Sequence, residues 1–289
     1  MEHYINSENS KSSIVALLTD FGWKGAHYVA SMKAVILKIN PRINIIDLSH
    51  SVSPYSLIEA SYLLKAAYPY FPKGTIFVSV IDPGVGTQRR IVVIKSSDDY
   101  FFVGPDNGIF PNALEENIEL CYAVEDDFYF HKPVSHTFHG RDIMAPVGAY
   151  ITTNVPLEKF GSVINPEDLT RIPIINEVNT KERRIKCTIQ YVDDFGNITT
   201  TISVKKNDEL TYHKSQGNIK LQKHQEVTIF VNDRSYRAKY VSHFAEVNPK
   251  SLLLMRGSTG FLEMSLNQGN AAEKLEISSG KIIEIQLSE

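Results

Sequence analysis

Cysteine is nearly absent from this chain. Its 289 residues include two, Cys121 and Cys187, far apart and without a C-x-x-C neighbour, which argues against a disulfide framework or a zinc knuckle and marks both as reduced core residues. A long apolar run is also missing, so no membrane partner is expected. Positive charge is not in excess: 30 Lys and Arg against 33 Asp and Glu give a formal net charge of -3, without the basic footprint of a nucleic-acid binder, so DNA and RNA are not expected as partners. The first dozen residues, MEHYINSENSKS, are polar and lack the apolar stretch of a secretory signal. They read as a frayed extension and, with the cysteine count, point to the cytoplasm. Low-complexity segments and internal repeats are lacking too, as are the G-x-G-x-x-G, G-x-x-x-x-G-K and H-E-x-x-H patterns of dinucleotide, nucleoside triphosphate and zinc-protease sites.

What is present is enough chain for two hydrophobic cores, in two textures. From Ser13, apolar strands alternate with stretches of helical spacing: a strand over Ile14 to Thr19, a helix over Tyr28 to Ile39, a strand over Ile43 to Ser49, a helix over Ser56 to Ala67 and a strand over Thr75 to Ile81. IVVIKS and YFFVGP read as further strands, and helices are expected near Pro111 and Ile143. This alternation predicts an N-terminal α/β domain with a largely parallel sheet, residues 13–173. Beyond it come short alternating runs such as RIKCTIQYVD, ITTTIS, EVTIFVN and IIEIQL, which predict a C-terminal antiparallel β domain, barrel or sandwich, residues 183–289. The stretch between about 166 and 182, rich in Pro, Asn and charge, reads as the link.

Ligands of open α/β sheets sit beyond the carboxyl ends of the strands. Here those ends carry Asp20, Asp47 to His50, Asp82 and Asp106-Asn107. So many acids repel a phosphate but suit a polyhydroxylated or cationic ligand, because a carboxylate accepts two hydrogen bonds from the vicinal hydroxyls of a ribose and attracts a sulfonium or ammonium. Any one of them could equally cap a helix or close a turn. The densest segment is SVIDPGVGTQRR, Ser79 to Arg90, where two glycines allow close backbone approach and the turn can present Asp82 and Arg89 to one cavity. A second cluster is SHTFHGRD, Ser135 to Asp142. Its His136 and His139 have no third ligand nearby, so proton handling or orientation suits His139 better than a metal, and the bland alternative is a surface loop capping the helix that follows, with Asp142 near its first turn. In the β region, VDDFGN (Val192 to Asn197) and MRGSTG (Met255 to Gly260) read simply as turns.

Taken together, LLTDFG, HSVSPY, IDPGVGTQRR, GPDNGI, TFHGRD and DDFGN, in this order from Ile14 onward, resemble the S-adenosylmethionine hydroxide adenosyltransferase family, which is related to the fluorinases and chlorinases. The resemblance implies an N-terminal α/β domain followed by a C-terminal β-barrel. It also implies hydrolysis of S-adenosylmethionine at C5′ to adenosine and methionine, with no cofactor and no metal. It implies a catalytic trio of Asp82, Arg89 and His139, and places Asp20 on the ribose hydroxyls with Tyr55 beside the sugar. In the second domain it sets Asn197 at the adenine edge and Phe244 on the adenine ring, with Asp193 and Ser258 toward the methionine. It further implies a homotrimer in which the first domain of one subunit and the second domain of the next share a substrate. The halogenating relatives carry hydroxyl side chains where this chain has Asp82 and Gly140, so water rather than halide is the expected nucleophile. One departure stands out: Trp23 to His27 lacks the acid that helps the family hold the substrate's amino group, leaving that task to Asp193. The competing readings are a nucleoside-binding sensor with little turnover, halide-dependent adenosyl transfer and a metal-dependent nucleosidase.

Overall fold

The computed structural model describes residues 14–211 and 219–288, so the polar N-terminal stretch lies outside the described residues. The chain divides between Ile172 and Pro173 into two compact units.

The first unit is built on a six-stranded sheet of β1 (Ile14–Thr19), β2 (Asn44–Ser49), β3 (Ile76–Val80), β4 (Ile91–Ser96), β5 (Phe101–Pro105) and β6 (Ile118–Ala123), in the order β2-β1-β3-β5-β4-β6. The β1, β2, β3 and β5 pairings are parallel, whereas β4 runs against both its neighbours. That reversal follows from chain length: the connection from β4 to β5 is far too short for the crossover a parallel pair needs. β3 is buried along its whole length and β1 along nearly all of it, as continuous apolar strands covered on both faces must be.

Two cores lie on the two faces of this sheet. Val15 and Leu17 join one with helix α1 (Ala26–Ile39) and, from later in the chain, helix α4 (Ala145–Thr152). Ala16 and Leu18 join the other with α2 (Leu57–Ala67) and α3 (Ile109–Leu114). Helix α1 buries Val29, Met32, Val35 and Ile36, one stripe at helical spacing. It starts at Ala26, two positions before the predicted Tyr28. A π-helical turn, Gly140–Met144, precedes α4, so the helix expected near Ile143 has two parts. β6 was not anticipated from its pattern, because it is a half-exposed strand that turns mainly Cys121 and Ala123 inward.

The second unit contains β7 (Asn176–Asn179), β8 (Arg184–Val192), β9 (Ile198–Val204), β10 (Leu210–Thr211), β11 (Glu226–Val231), β12 (Arg234–Tyr240), β13 (Leu252–Arg256), β14 (Phe261–Leu266) and β15 (Ile282–Leu287). Seven of them close into a barrel in the order β8-β9-β14-β13-β12-β11-β15 and back to β8. The interior is filled by alternate residues such as Ile185, Cys187 and Ile189. The expected antiparallel pairing holds around the ring except between β12 and β13, which are parallel. β7 falls inside the stretch read as a link. Its sequence NEVN has one apolar residue, too little to register as a strand, and the β8 ladder supplies the pairing. Helix α5 (Ala271–Leu275) was also unanticipated; Asn270 caps it, its side-chain oxygen accepting the N–H of Glu273 at 2.8 Å. Burial pushes the thiols of Cys121 and Cys187 up to about 12, so both are inert core residues. Among the described residues no helix is long and apolar enough to cross a membrane.

Candidate active site

At the carboxyl end of the first unit's sheet, the segments after β1, β2 and β3 meet the segment ahead of the π-helical turn. They enclose a pocket of about 350 Å³ lined by Asp20, Phe21, Tyr28, Pro54, Tyr55, Val80, Asp82, Val85, Thr137, Phe138, His139 and Gly140. Five of the residues singled out from sequence, Asp20, Tyr55, Asp82, His139 and Gly140, therefore share one cavity. The sixth of this group, Arg89, stands directly behind Asp82.

The turn after β3 is what brings the trio together. Val85 N–H bonds to the carbonyl of Asp82 and Thr87 N–H to that of Gly84, which folds the chain back so that Arg89 faces Asp82. Gly86 adopts φ +79°, and a Cβ on it would stand 2.5 Å from the carbonyl oxygen of His136, so glycine here permits the close approach of the His139 segment. Arg89 donates from Nε to both carboxylate oxygens of Asp82 at 2.9 and 3.0 Å and from Nη2 to Oδ2 at 2.5 Å. Only 6% of the Asp82 side chain and 13% of the Arg89 side chain is exposed. The same Nη2 lies 2.9 Å from Nδ1 of His139.

A guanidinium can only donate, so Nδ1 of His139 is the acceptor and its proton resides on Nε2. Burial, and then the neighbouring positive charge of Arg89, hold this imidazole below the ordinary histidine value despite the opposing pull of Asp82 and Asp142. The site thus contains a neutral imidazole with an Nε2–H donor, beside a carboxylate clamped by arginine.

Asp20 sits across the pocket, with Oδ2 accepting the backbone N–H of Tyr55 at 2.8 Å. Burial raises its pKa, and the negative charge of Asp82 adds to the rise. Tyr55 holds a left-handed backbone at φ +66°, a strained conformation for a bulky residue and one that exposes its ring. Phe21, Tyr28 and Phe138 meet edge to face or tilted, at centroid distances of 5.2 to 5.8 Å, and form an aromatic wall. None of these three was singled out from sequence. Phe21 and Phe138 flank residues that were, whereas Tyr28 gave only the signal of a helix start.

Other strand-end residues serve the fold. Asp106 pairs with Arg90 at 2.6 Å and accepts the N–H of Thr170, and Asn107 donates to the carbonyl of Ile81. Asp47 pairs with Lys33. Asp142 lies in the first turn of the π-helical segment that leads into α4, where the loop reading sets it. It is fully buried, paired with Arg141 at 2.6 Å, and accepts the N–H of Ser135 at 2.9 Å, closing its own loop. Among the described residues no cluster of three or more His, Cys, Asp or Glu side chains could hold a metal ion.

In the second unit, the β8 to β9 turn is organised by Asp193, whose Oδ1 accepts the N–H groups of Phe195 and Asn197 and whose Oδ2 accepts the Asn197 side-chain amide at 2.9 Å. Asp193 and Asn197 are thus one hydrogen-bonded pair. Phe195 at the tip is 78% exposed, an aromatic that sequence reasoning passed over as part of a turn. Glu263 on β14 carries a carboxyl raised by burial and, secondarily, by the charge of Asp193. Ser258 is exposed in the β13 to β14 hairpin, and Phe244 opens the 3-10 turn after β12 with 39% of its surface exposed.

The model of the S-adenosylmethionine (SAM) hydroxide adenosyltransferase N-terminal domain matches residues 15–161, and that of the C-terminal domain matches residues 187–284. The chain belongs to the SAM hydroxide adenosyltransferase family. Within it, relatives named (R)-S-adenosyl-L-methionine hydrolase include one from Methanocaldococcus jannaschii, 37% identical with 94% of this chain and 95% of the relative covered. Another, from Thermus thermophilus, is 32% identical over 92% and 96%. A fluorinase of Actinopolyspora mzabensis matches at 24% over 68% of this chain and 73% of its own. A solved structure, an uncharacterized conserved protein from Thermotoga maritima, superimposes with a TM-score of 0.81 at 34% identity, covering 94% of this chain and 99% of that one. This SAM hydroxide adenosyltransferase family member therefore carries both family domains, with the Asp82, Arg89 and His139 cluster in the first.

Proposed function

We propose that this chain hydrolyses S-adenosylmethionine, forming adenosine and methionine, with Asp82, Arg89 and His139 at the reacting end of the pocket. The observation that carries the reading is the single Nη2 of Arg89 reaching both Asp82 and His139, which sets an acceptor and a neutral donor side by side. Water attacks C5′ as the C5′–S bond breaks, and the bonding pair leaves on sulfur as the thioether of methionine. The sulfonium is already a good leaving group, so the protein's task is to keep oxygen, carbon and sulfur in line in a solvent-poor pocket. Asp82 accepts a hydrogen bond from the water and receives its proton as the bond forms, while Nε2–H of His139 orients the oxygen. Two carboxylates, Asp20 and Asp82, favour a cationic substrate and disfavour a halide. Asp20 takes the ribose hydroxyls, beside Tyr55.

The same reading makes the protein a cytoplasmic homotrimer that needs no cofactor. Asn197 and Phe244 of another copy would meet the adenine, and Asp193 and Ser258 the methionine. Exposed aromatics on each unit, Trp23 and Tyr55 on the first and Phe195 on the second, support such an assembly. The test is incubation of pure protein with S-adenosylmethionine, following adenosine by chromatography with and without added fluoride or chloride. Adenosine formation independent of halide is expected, and none above an Asp82→Ala control would sink the reading.

A further inference from the structure

We propose that His50, which does not line the pocket, is a positioning residue for nucleoside recognition: it holds the loop that carries Asp20 and so governs the grip on the ribose hydroxyls. This rests on the role of Asp20 given above.

One oxygen of Asp20 is committed to the backbone of Tyr55, so the aim of the rest of the carboxylate depends on the chain to either side of it. Both sides are tied to His50. Before Asp20, the fully buried Thr19 places Oγ1 2.9 Å from Nδ1 of His50 and accepts the N–H of Phe21 at 3.3 Å. After Asp20, Gly22, at φ +65°, donates its N–H to the carbonyl of His50 at 2.8 Å.

His50 is itself held from behind. Its Nε2 lies 3.1 Å from Oδ1 of Asp47, whose Oδ2 accepts Nζ of Lys33, on α1, at 2.6 Å. One proton assignment suits all these contacts: the Thr19 hydroxyl donates to Nδ1, leaving its oxygen to accept from Phe21, and Nε2–H faces the Asp47 carboxylate at 3.1 Å, close enough for electrostatic attraction but outside hydrogen-bond geometry. The other neutral tautomer would set Nε2 and the Asp47 carboxylate against each other as two acceptors. The line Lys33, Asp47, His50, Thr19 therefore runs from α1 to the residue before Asp20. Hydrogen bonds to two vicinal hydroxyls demand placement to within about half an ångström, which supports of this kind provide.

The test is calorimetric titration of adenosine and of 2′,3′-dideoxyadenosine, which has no ribose hydroxyls, into wild-type protein and the His50→Ala, Asp20→Asn and doubly substituted variants. His50→Ala is expected to weaken adenosine roughly tenfold, the usual coupling between adjoining hydrogen-bonded residues, and to change dideoxyadenosine by less than about twofold. In the Asp20→Asn background the same change should have no further effect. His50→Asn, whose amide oxygen can stand where Nδ1 stood, should recover part of the adenosine affinity. It also serves as the probe if the alanine variant does not fold. Equal losses for the two ligands, or additive effects in the double variant, would overturn the proposal while leaving the hydrolase reading intact. A wild-type protein that binds the two ligands equally would instead remove Asp20 from ribose recognition, and this proposal with it.

Discussion

Arg89 is the residue on which the site turns, because its one guanidinium is shared between Asp82 and His139. Arg89→Ala leaves Asp82 nearly buried without a partner, a change expected to cost about 3 kcal/mol of stability, and adenosine formation should fall by about a hundredfold or more. Chemical unfolding and initial rates check the two effects, and a retained rate would remove Arg89 from the chemistry. His139 has a pKa below its ordinary 6.5, so it is neutral at pH 7. Its neutral-state contribution is complete above the unfolded value and lost as the pH falls through the lower folded value. Once protonated, both ring nitrogens donate and the contact with Arg89 Nη2 is broken. The kcat/KM profile should therefore show an acid limb below about pH 6.5, absent in His139→Asn; an unchanged limb in that variant would assign it to another group. Asp82, Arg89 and His139 were legible as chemistry-bearing residues in their sequence context. Their contact was not, because it depends on Gly86 letting two distant segments approach.

Glycines show how much of each element is set by its neighbours. Gly196 combines φ +81° with a Cβ position 1.9 Å from Oδ1 of Asn270, the cap of α5. Gly196→Ala should thus lose both backbone ease and the cap, about 2 kcal/mol. Gly280→Ala, at φ +80° with nothing within 4 Å, should cost only about 1 kcal/mol. Thermal unfolding of the two variants compares them, and equal shifts would refute the packing argument. Gly140 is of another kind: its added Cβ would meet Cγ1 of Val80 at 2.7 Å. Gly140→Ser is expected to lower both melting temperature and activity, and Val80→Ala in the same chain to recover the melting temperature. Failure to recover it would show that the clash is not with Val80.

At the scale of the whole molecule, the trimer remains the prediction that links the two units. Sedimentation velocity on pure protein should give a single species of three times the 32.6 kDa chain mass, and a monomer that still forms adenosine would refute the shared site. The α/β alternation, the short antiparallel β runs of the second domain and the run of motifs from TDFG to DDFGN are written in the order of residues, because periodicity and turn chemistry are local and survive reading one chain from end to end. The tertiary structure decided the rest. The parallel β12 and β13 pair and strand β7 come from pairing between segments, and NEVN has no strand signal without β8 beside it. The same distinction divides the acids at the strand ends: Asp20 and Asp82 face the pocket, while Asp106 is taken by Arg90 and Asp47 by Lys33. Sequence presents these carboxylates alike; which of them reaches the pocket depends on where folding sets it, since Asp82, though clamped by Arg89, still lines the cavity.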